Sequence, residues 1–167
     1  MYLSRKKGAS LKVDKVQTFG PTECDELEVV KANFTSDDNT VHNLFTPDEK
    51  EWRAVESFTQ DQGFLLKISE GDRNVTGVGI QNAEQPWATK KFRVSGSLQE
   101  SGPWITLLED EVKVVNTIQT FNFSRPWLVR YLKFDLITYA RQRGGGLRFF
   151  TILAGKVIKA LHLINLL

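Results

Sequence analysis

Short apolar runs with alternating side chains recur along this chain, and Gly, Pro, Asn and Asp punctuate them. A period of two belongs to an extended strand, whose successive side chains point to opposite faces. In "KFRVSGS", Phe92 and Val94 share one face while Lys91, Arg93 and Ser95 share the other. "PWITLLE" follows a polar Gly-Pro bend and reads as the hairpin partner, with Trp104 alternating with Thr106 and Leu108 towards the core. "NVTGVGIQ" places Thr76, Val78 and Ile80 together, and "IQTFNFS" aligns Phe121 with Phe123 and turns Asn122 outward. "WLVRYLKFDLIT" is the longest run, with Leu132, Phe134 and Leu136 on one face. "LEVVKANF", "GFLLKIS" and "GGGLRFFTIL" complete the set. No long helical period competes with them before the tail. The chain is therefore predicted to be all-β, an antiparallel jelly-roll β-sandwich of about eight strands. In "AGKVIKALHLINLL", Leu153, Val157, Leu161 and Ile164 fall at helical spacing, which predicts a short C-terminal helix against the sandwich.

Composition agrees with this architecture and excludes several classes. A chain of 167 residues suffices for one domain with its own core. Eleven Phe and four Trp against a single Met suit sheet packing better than helix packing. The net charge of +2 points to no nucleic-acid partner and to no strongly acidic one. No apolar run approaches the roughly 18 residues of a membrane helix, so no transmembrane segment is predicted. "MYLSRKKGASLKV" carries basic residues without the apolar stretch of a signal peptide. Cys24 has no internal partner and is expected to be a free thiol or an intermolecular link. Asn33, Asn74 and Asn122 each open a glycosylation sequon and are the candidate modification sites.

Catalytic constellations are nearly absent from the sequence. His42 and His162 lack a metal-ligand partner at zinc spacing. There is no Gly-x-Ser-x-Gly and no His-Glu-x-x-His. The glycines of "RQRGGGLRFF" lead into a strand, which is the wrong context for a phosphate loop. The chain is therefore expected not to be an enzyme. The acidic clusters "PDEKE" and "LEDEVK" read as solvated turns. Their oxygens make Ca²⁺ the one ion to consider, and no other cofactor is implied. Trp52, Trp104 and Trp127 sit in or beside apolar runs and are expected in the core or at its margin. Trp87 differs, because "QNAEQPWATK" lies between two strands and is polar around it. A loop tryptophan of this kind is a candidate stacking platform for a sugar ring or a wedge for a lipid surface.

Four stretches then share one order. "NLFTPDEKEWRA", "GFLLKISEGDRNVTGVGIQNAEQPWATKKFRVSGSLQESGPWITL", "FNFSRPWLVRYLKFDLI" and "GGGLRFF" together resemble the discoidin domain. This domain is also called the coagulation factor 5/8 type C domain and belongs to the galactose-binding-like superfamily. The resemblance runs from about Cys24 to Gly155, so it implies an N-terminal extension over 1–23, a domain over 24–155 and an apolar tail over 156–167. It implies an eight-stranded jelly roll that binds glycans, anionic lipid or protein without catalysis, through loops at one end. The matching loops run from Asn33 to Thr46 and from Asn82 to Thr89. The ligand-binding residues so implied are Asn43, Asn82, Glu84, Gln85, Trp87, Arg141 and Arg143. Arg130 matches a family arginine on the strand face of Leu132 and Phe134, where a carboxylate partner and a structural role are expected. Many members close the domain with a disulfide, but Lys156 stands where the second Cys would fall. The resemblance and the sequons imply carbohydrate or cell-surface recognition and adhesion, outside the cell or on its surface. The alternative is an intracellular scaffold that binds a protein partner on the same fold.

Overall fold

The computed structural model describes residues 27–32, 40–45, 50–54, 62–139 and 145–154. Nine strands lie among them: β1 (Leu27–Ala32), β2 (Trp52–Arg53), β3 (Gly63–Ile68), β4 (Arg73–Asn82), β5 (Thr89–Ser97), β6 (Ile105–Glu111), β7 (Gln119–Val129), β8 (Tyr131–Tyr139) and β9 (Gly146–Ala154). A 3-10 turn, Val41–Phe45, precedes β2. The strands form a five-stranded sheet in the order β1-β3-β8-β5-β6 and a four-stranded sheet in the order β2-β9-β4-β7. Every pairing within the two sheets is antiparallel. This is the all-β sandwich that the alternation predicts. No helix of the described residues is long and apolar enough to cross a membrane. Leu153 and Ala154, which open the expected C-terminal helix, are instead the last residues of β9, where they pair with Gly77 and Val75. The rest of that helix, Cys24, His162 and both expected domain boundaries lie outside the described residues.

The inner faces of the sheets meet in an aromatic core centred on Phe134. Its ring stacks on Phe64 at 4.9 Å and on Phe92 at 5.4 Å. Trp52 and Phe150 meet Phe64 edge-on at 5.1 and 5.2 Å. Edge-to-face and offset contacts of this kind add to the burial of large apolar area. Leu66, Ile68, Val78, Ile80, Val94 and Leu132 fill the spaces between the rings. Phe92, Val94, Leu132, Phe134 and Leu136 thus occupy the face that alternation assigns them. Asn122 is exposed between the buried Phe123 and the half-buried Phe121, as expected.

Three expectations need correction, and each fails where the pleat is interrupted. The run "WLVRYLKFDLIT" is not one strand, because β7 ends at Val129, the chain bends at Arg130 and β8 begins at Tyr131. Arg130 is consequently exposed rather than inward beside Leu132 and Phe134, although its Nε does donate to the Asp72 carboxylate at 2.7 Å. In β4 a bulge between Val75 and Gly77 leaves Thr76 out of phase. Val75 joins Val78 and Ile80 in the core, and the Thr76 hydroxyl donates to the Leu153 carbonyl instead. A bulge between Val94 and Ser95 likewise shifts β6 by one residue. Leu107 is buried, Thr106 is exposed, and Trp104 is half-buried and absent from the core. A one-residue slip exchanges the two faces of a strand, so one bulge suffices to move Trp104 outward. Trp52 is fully buried and Trp127 half-buried, with the Arg125 guanidinium 3.9 Å from the Trp127 ring centroid.

Candidate functional site

The strand register determines which connections meet. Asn82 at the end of β4 pairs with Leu147, and Thr89 at the start of β5 pairs with Tyr139. Lys91 pairs with Glu111 and Ile80 with Gln119. The β4–β5 and β6–β7 connections therefore gather at one end of the sandwich, with the end of β8 and the start of β9 beside them. The 3-10 turn and β2 join them there, since Arg53 pairs with Gly146. That pairing needs a glycine, because a Cβ at Gly146 would stand 2.5 Å from the Trp52 carbonyl oxygen.

Glu51 organises this end. Its side chain is only 6% exposed, and its carboxylate serves three partners. Oε1 accepts the backbone N–H of Glu84 at 3.0 Å and Arg148 Nε at 3.2 Å. Oε2 accepts Arg53 Nε and Nη2 at 3.1 and 3.0 Å. A buried carboxylate is tolerable only when paired and hydrogen-bonded in this way. "PDEKE" is thus not simply a solvated turn, since its last member is buried. The two guanidiniums carry the network outward. Arg148 Nη2 reaches the exposed Glu84 carboxylate at 3.0 Å, and its Nη1 lies 3.4 Å from Asn116 Oδ1. Arg53 Cζ stands 5.1 Å from the centroid of the Trp87 ring, in cation–π range.

The loop between β4 and β5 is braced from both sides. The backbone N–H of Trp87 donates to the Glu84 carbonyl at 2.9 Å, closing a turn over Glu84, Gln85 and Pro86, with a cis Gln85–Pro86 bond. Asn82 ties the loop's base together, since its Oδ1 accepts Thr89 N–H at 2.9 Å and its Nδ2 donates to the Thr89 carbonyl at 2.8 Å. Glu84 and Gln85 are exposed and Trp87 is half-buried. The result is a half-open indole beside a carboxylate, a carboxamide and two guanidiniums, all held from beneath. Such a surface offers an apolar face together with fixed donors and acceptors.

The residues that the sequence implicates fare differently. Glu84, Gln85 and Trp87 are together in this loop. Asn43 belongs to the same end, where its Nδ2 donates to the Glu51 carbonyl at 3.0 Å. Asn82 is 3% exposed and its side chain is engaged with backbone, so it braces the base of the loop. Arg141 and Arg143 lie outside the described residues. Sequence reasoning missed Glu51, Arg53, Arg148 and Asn116. Glu51 carried no signal of its burial, since strand alternation beside an inward Trp52 would turn it outward. Asn74 and Asn122 are exposed, and Asn33 lies outside the described residues. His42 is exposed on the 3-10 turn. The "LEDEVK" carboxylates do not form an ion cage. Glu109 receives Lys91 and Arg93, and Asp110 accepts the N–H of Glu111. Among the described residues no three His, Cys, Asp or Glu side chains converge on one point.

No family model and no curated protein matches the chain. Solved structures do. The third family 32 carbohydrate-binding module of a family 31 glycoside hydrolase from Clostridium perfringens superposes with a TM-score of 0.68 at 10% identity, covering 80% of this chain and 94% of that one. The family 32 module of C. perfringens NanJ, solved with galactose, gives 0.61 at 11% identity over 75% and 90% of the two chains. The family 32 module from Streptococcus pneumoniae EndoD gives 0.59 at 11% identity over 76% and 94%. The chain therefore has the discoidin, or galactose-binding-like, fold that the motif order suggested.

Proposed function

We propose that this chain is a non-catalytic carbohydrate-binding module whose glycan site is the loop end built on Glu51. The observation that carries the proposal is the half-buried Trp87 held beside Glu84, Gln85, Arg53 and Arg148. A sugar ring presents an apolar C–H face and a rim of hydroxyls. An indole with adjacent carboxylate, carboxamide and guanidinium groups complements both. The buried Glu51 carboxylate fixes these groups before a ligand arrives, which reduces the ordering cost of binding. Support also comes from neighbours of the same fold, one solved with galactose and another, from C. perfringens, with GalNAc-β-1,3-galactose. Galactose-containing glycans are accordingly the first ligands to try. On this reading the protein works in recognition or adhesion at a cell surface or outside the cell, with Asn122 as an outward glycosylation site. A glycan array probed with the wild type and with Trp87→Ala tests the site. Wild-type signal on a restricted set of glycans, lost in a folded Trp87→Ala protein, is expected. Equal signals from both proteins would remove Trp87 from the site.

A further inference from the structure

The outer face of the five-stranded sheet is closed by ion pairs along two of its strand pairs. Glu109 on β6 binds Lys91 and Arg93 of β5, and Lys67 on β3 binds Glu28 of β1 at 3.0 Å. Elsewhere on this face is a depression of about 200 Å³, lined by Lys31, Leu65, Glu100, Trp104, Lys133 and Asp135. Trp104 is the tryptophan that the β5–β6 bulge excludes from the core. Gly102 makes room for it, because a Cβ there would stand 3.0 Å from Trp104 Cδ1, and its φ of 92° favours glycine in any case. The indole is thereby kept half-buried at the wall of the depression, with Leu65 contributing further apolar lining. The polar lining has equal numbers of lysines and carboxylates. Lys133 Nζ and Asp135 Oδ1 are 3.1 Å apart, with side-chain exposures of 35% and 19%. A lining of zero net charge does not select a strongly anionic or cationic ligand. It does supply donors and acceptors to neighbouring hydroxyls while an aromatic wall covers an apolar face. The volume lies below the roughly 300–1,000 Å³ of pockets that enclose drug-sized ligands, which limits the occupant to a single ring.

We propose that this depression is a second carbohydrate subsite, which takes one uncharged pyranose with Trp104 as its platform and Asp135 and Lys133 as its hydrogen-bonding pair. The inference rests on the sheet face alone and stands whether or not the loop end binds sugar. To keep the two apart, the test uses ¹⁵N-labelled Trp87→Ala protein. It is titrated separately with the methyl glycosides of galactose, glucose, mannose and N-acetylglucosamine, each to about 50 mM, since a one-ring site is expected to bind in the millimolar range. At least one glycoside should move the Trp104 indole N–H and the amides of Leu65 and Lys133 saturably. Adding Trp104→Ala or Asp135→Asn should weaken that binding by about tenfold or more, read on the Leu65 and Lys133 amides. Asp135→Asn preserves side-chain shape and decides the matter alone if Trp104→Ala disturbs the fold. Failure of all four glycosides to move these signals overturns the subsite. So does unchanged affinity in Asp135→Asn.

Discussion

Replacing Glu51 by Ala perturbs the group on which the loop end depends. The substitution removes the acceptor for Arg53, for Arg148 and for the Glu84 backbone N–H together. Breaking a buried ion pair by deleting one partner typically costs about 3–5 kcal/mol, because the remaining charge is left desolvated. Here the remaining charges retain some water, since the Arg53 and Arg148 side chains are 34% and 20% exposed. The expected loss is therefore about 2–3 kcal/mol, below the fully buried case. For a domain of this length that corresponds to a fall in Tm of about 5–10 °C. Glu51→Gln should lose less, since it retains one acceptor but turns an amide towards a guanidinium. Urea unfolding of wild type, Glu51→Ala, Arg148→Ala and the double variant measures both the cost and the coupling. A coupling energy above about 0.5 kcal/mol is expected for residues that share a hydrogen bond. Glu51→Ala within about 0.5 kcal/mol of wild type would show that the network does not hold the loop end, since that is the range of an ordinary surface substitution.

The other tryptophans separate core from surface. Trp52→Ala should cost about 3–5 kcal/mol in denaturant melts, whereas Trp104→Ala should cost about 1 kcal/mol or less; similar losses would return Trp104 to the core. Asn82→Ala leaves the buried Thr89 N–H unpaired and should cost about 1–3 kcal/mol, with a loss indistinguishable from zero counting against its bracing role. Hydrogen bonds from Lys91 and then Arg93 hold the Glu109 carboxyl below the ordinary glutamate range. A folded-state pKa lowered in this way gives stability that is present above the unfolded value of about 4.3 and is lost as pH falls through the folded one. A carboxyl NMR titration should therefore find Glu109 below about 4.3, and a midpoint at or above that value would contradict the pairing.

Alternation made the sandwich legible because period two leaves little choice wherever one face is buried. Phe92, Val94, Leu132, Phe134 and Leu136 point inward for that reason alone. Bulges have no such signature. Val75/Gly77 and Val94/Ser95 each insert a residue whose side chain looks ordinary in sequence, and Thr76 and Trp104 are misplaced as a result. The bend at Arg130 is likewise hidden, since apolar residues continue on both sides of it. At the loop end, Glu84, Gln85 and Trp87 were visible because they fall in one short stretch between two clear strands. The Glu51–Arg148 pair was not, because 97 residues separate its members and strand pairing alone brings them together. Arg53 was hidden by the shortness of β2, a strand of two residues that carries no period to read.

If a glycan meets the protein at the loop between β4 and β5, binding should perturb that loop first. Amide chemical-shift mapping of the wild-type protein with its strongest array glycan tests this residue by residue. The largest saturable shifts are expected in residues 83–89, with accompanying shifts at Asn43, Arg53 and Arg148. Saturable shifts that leave residues 83–89 unmoved would place the glycan elsewhere, whatever other surface they mark.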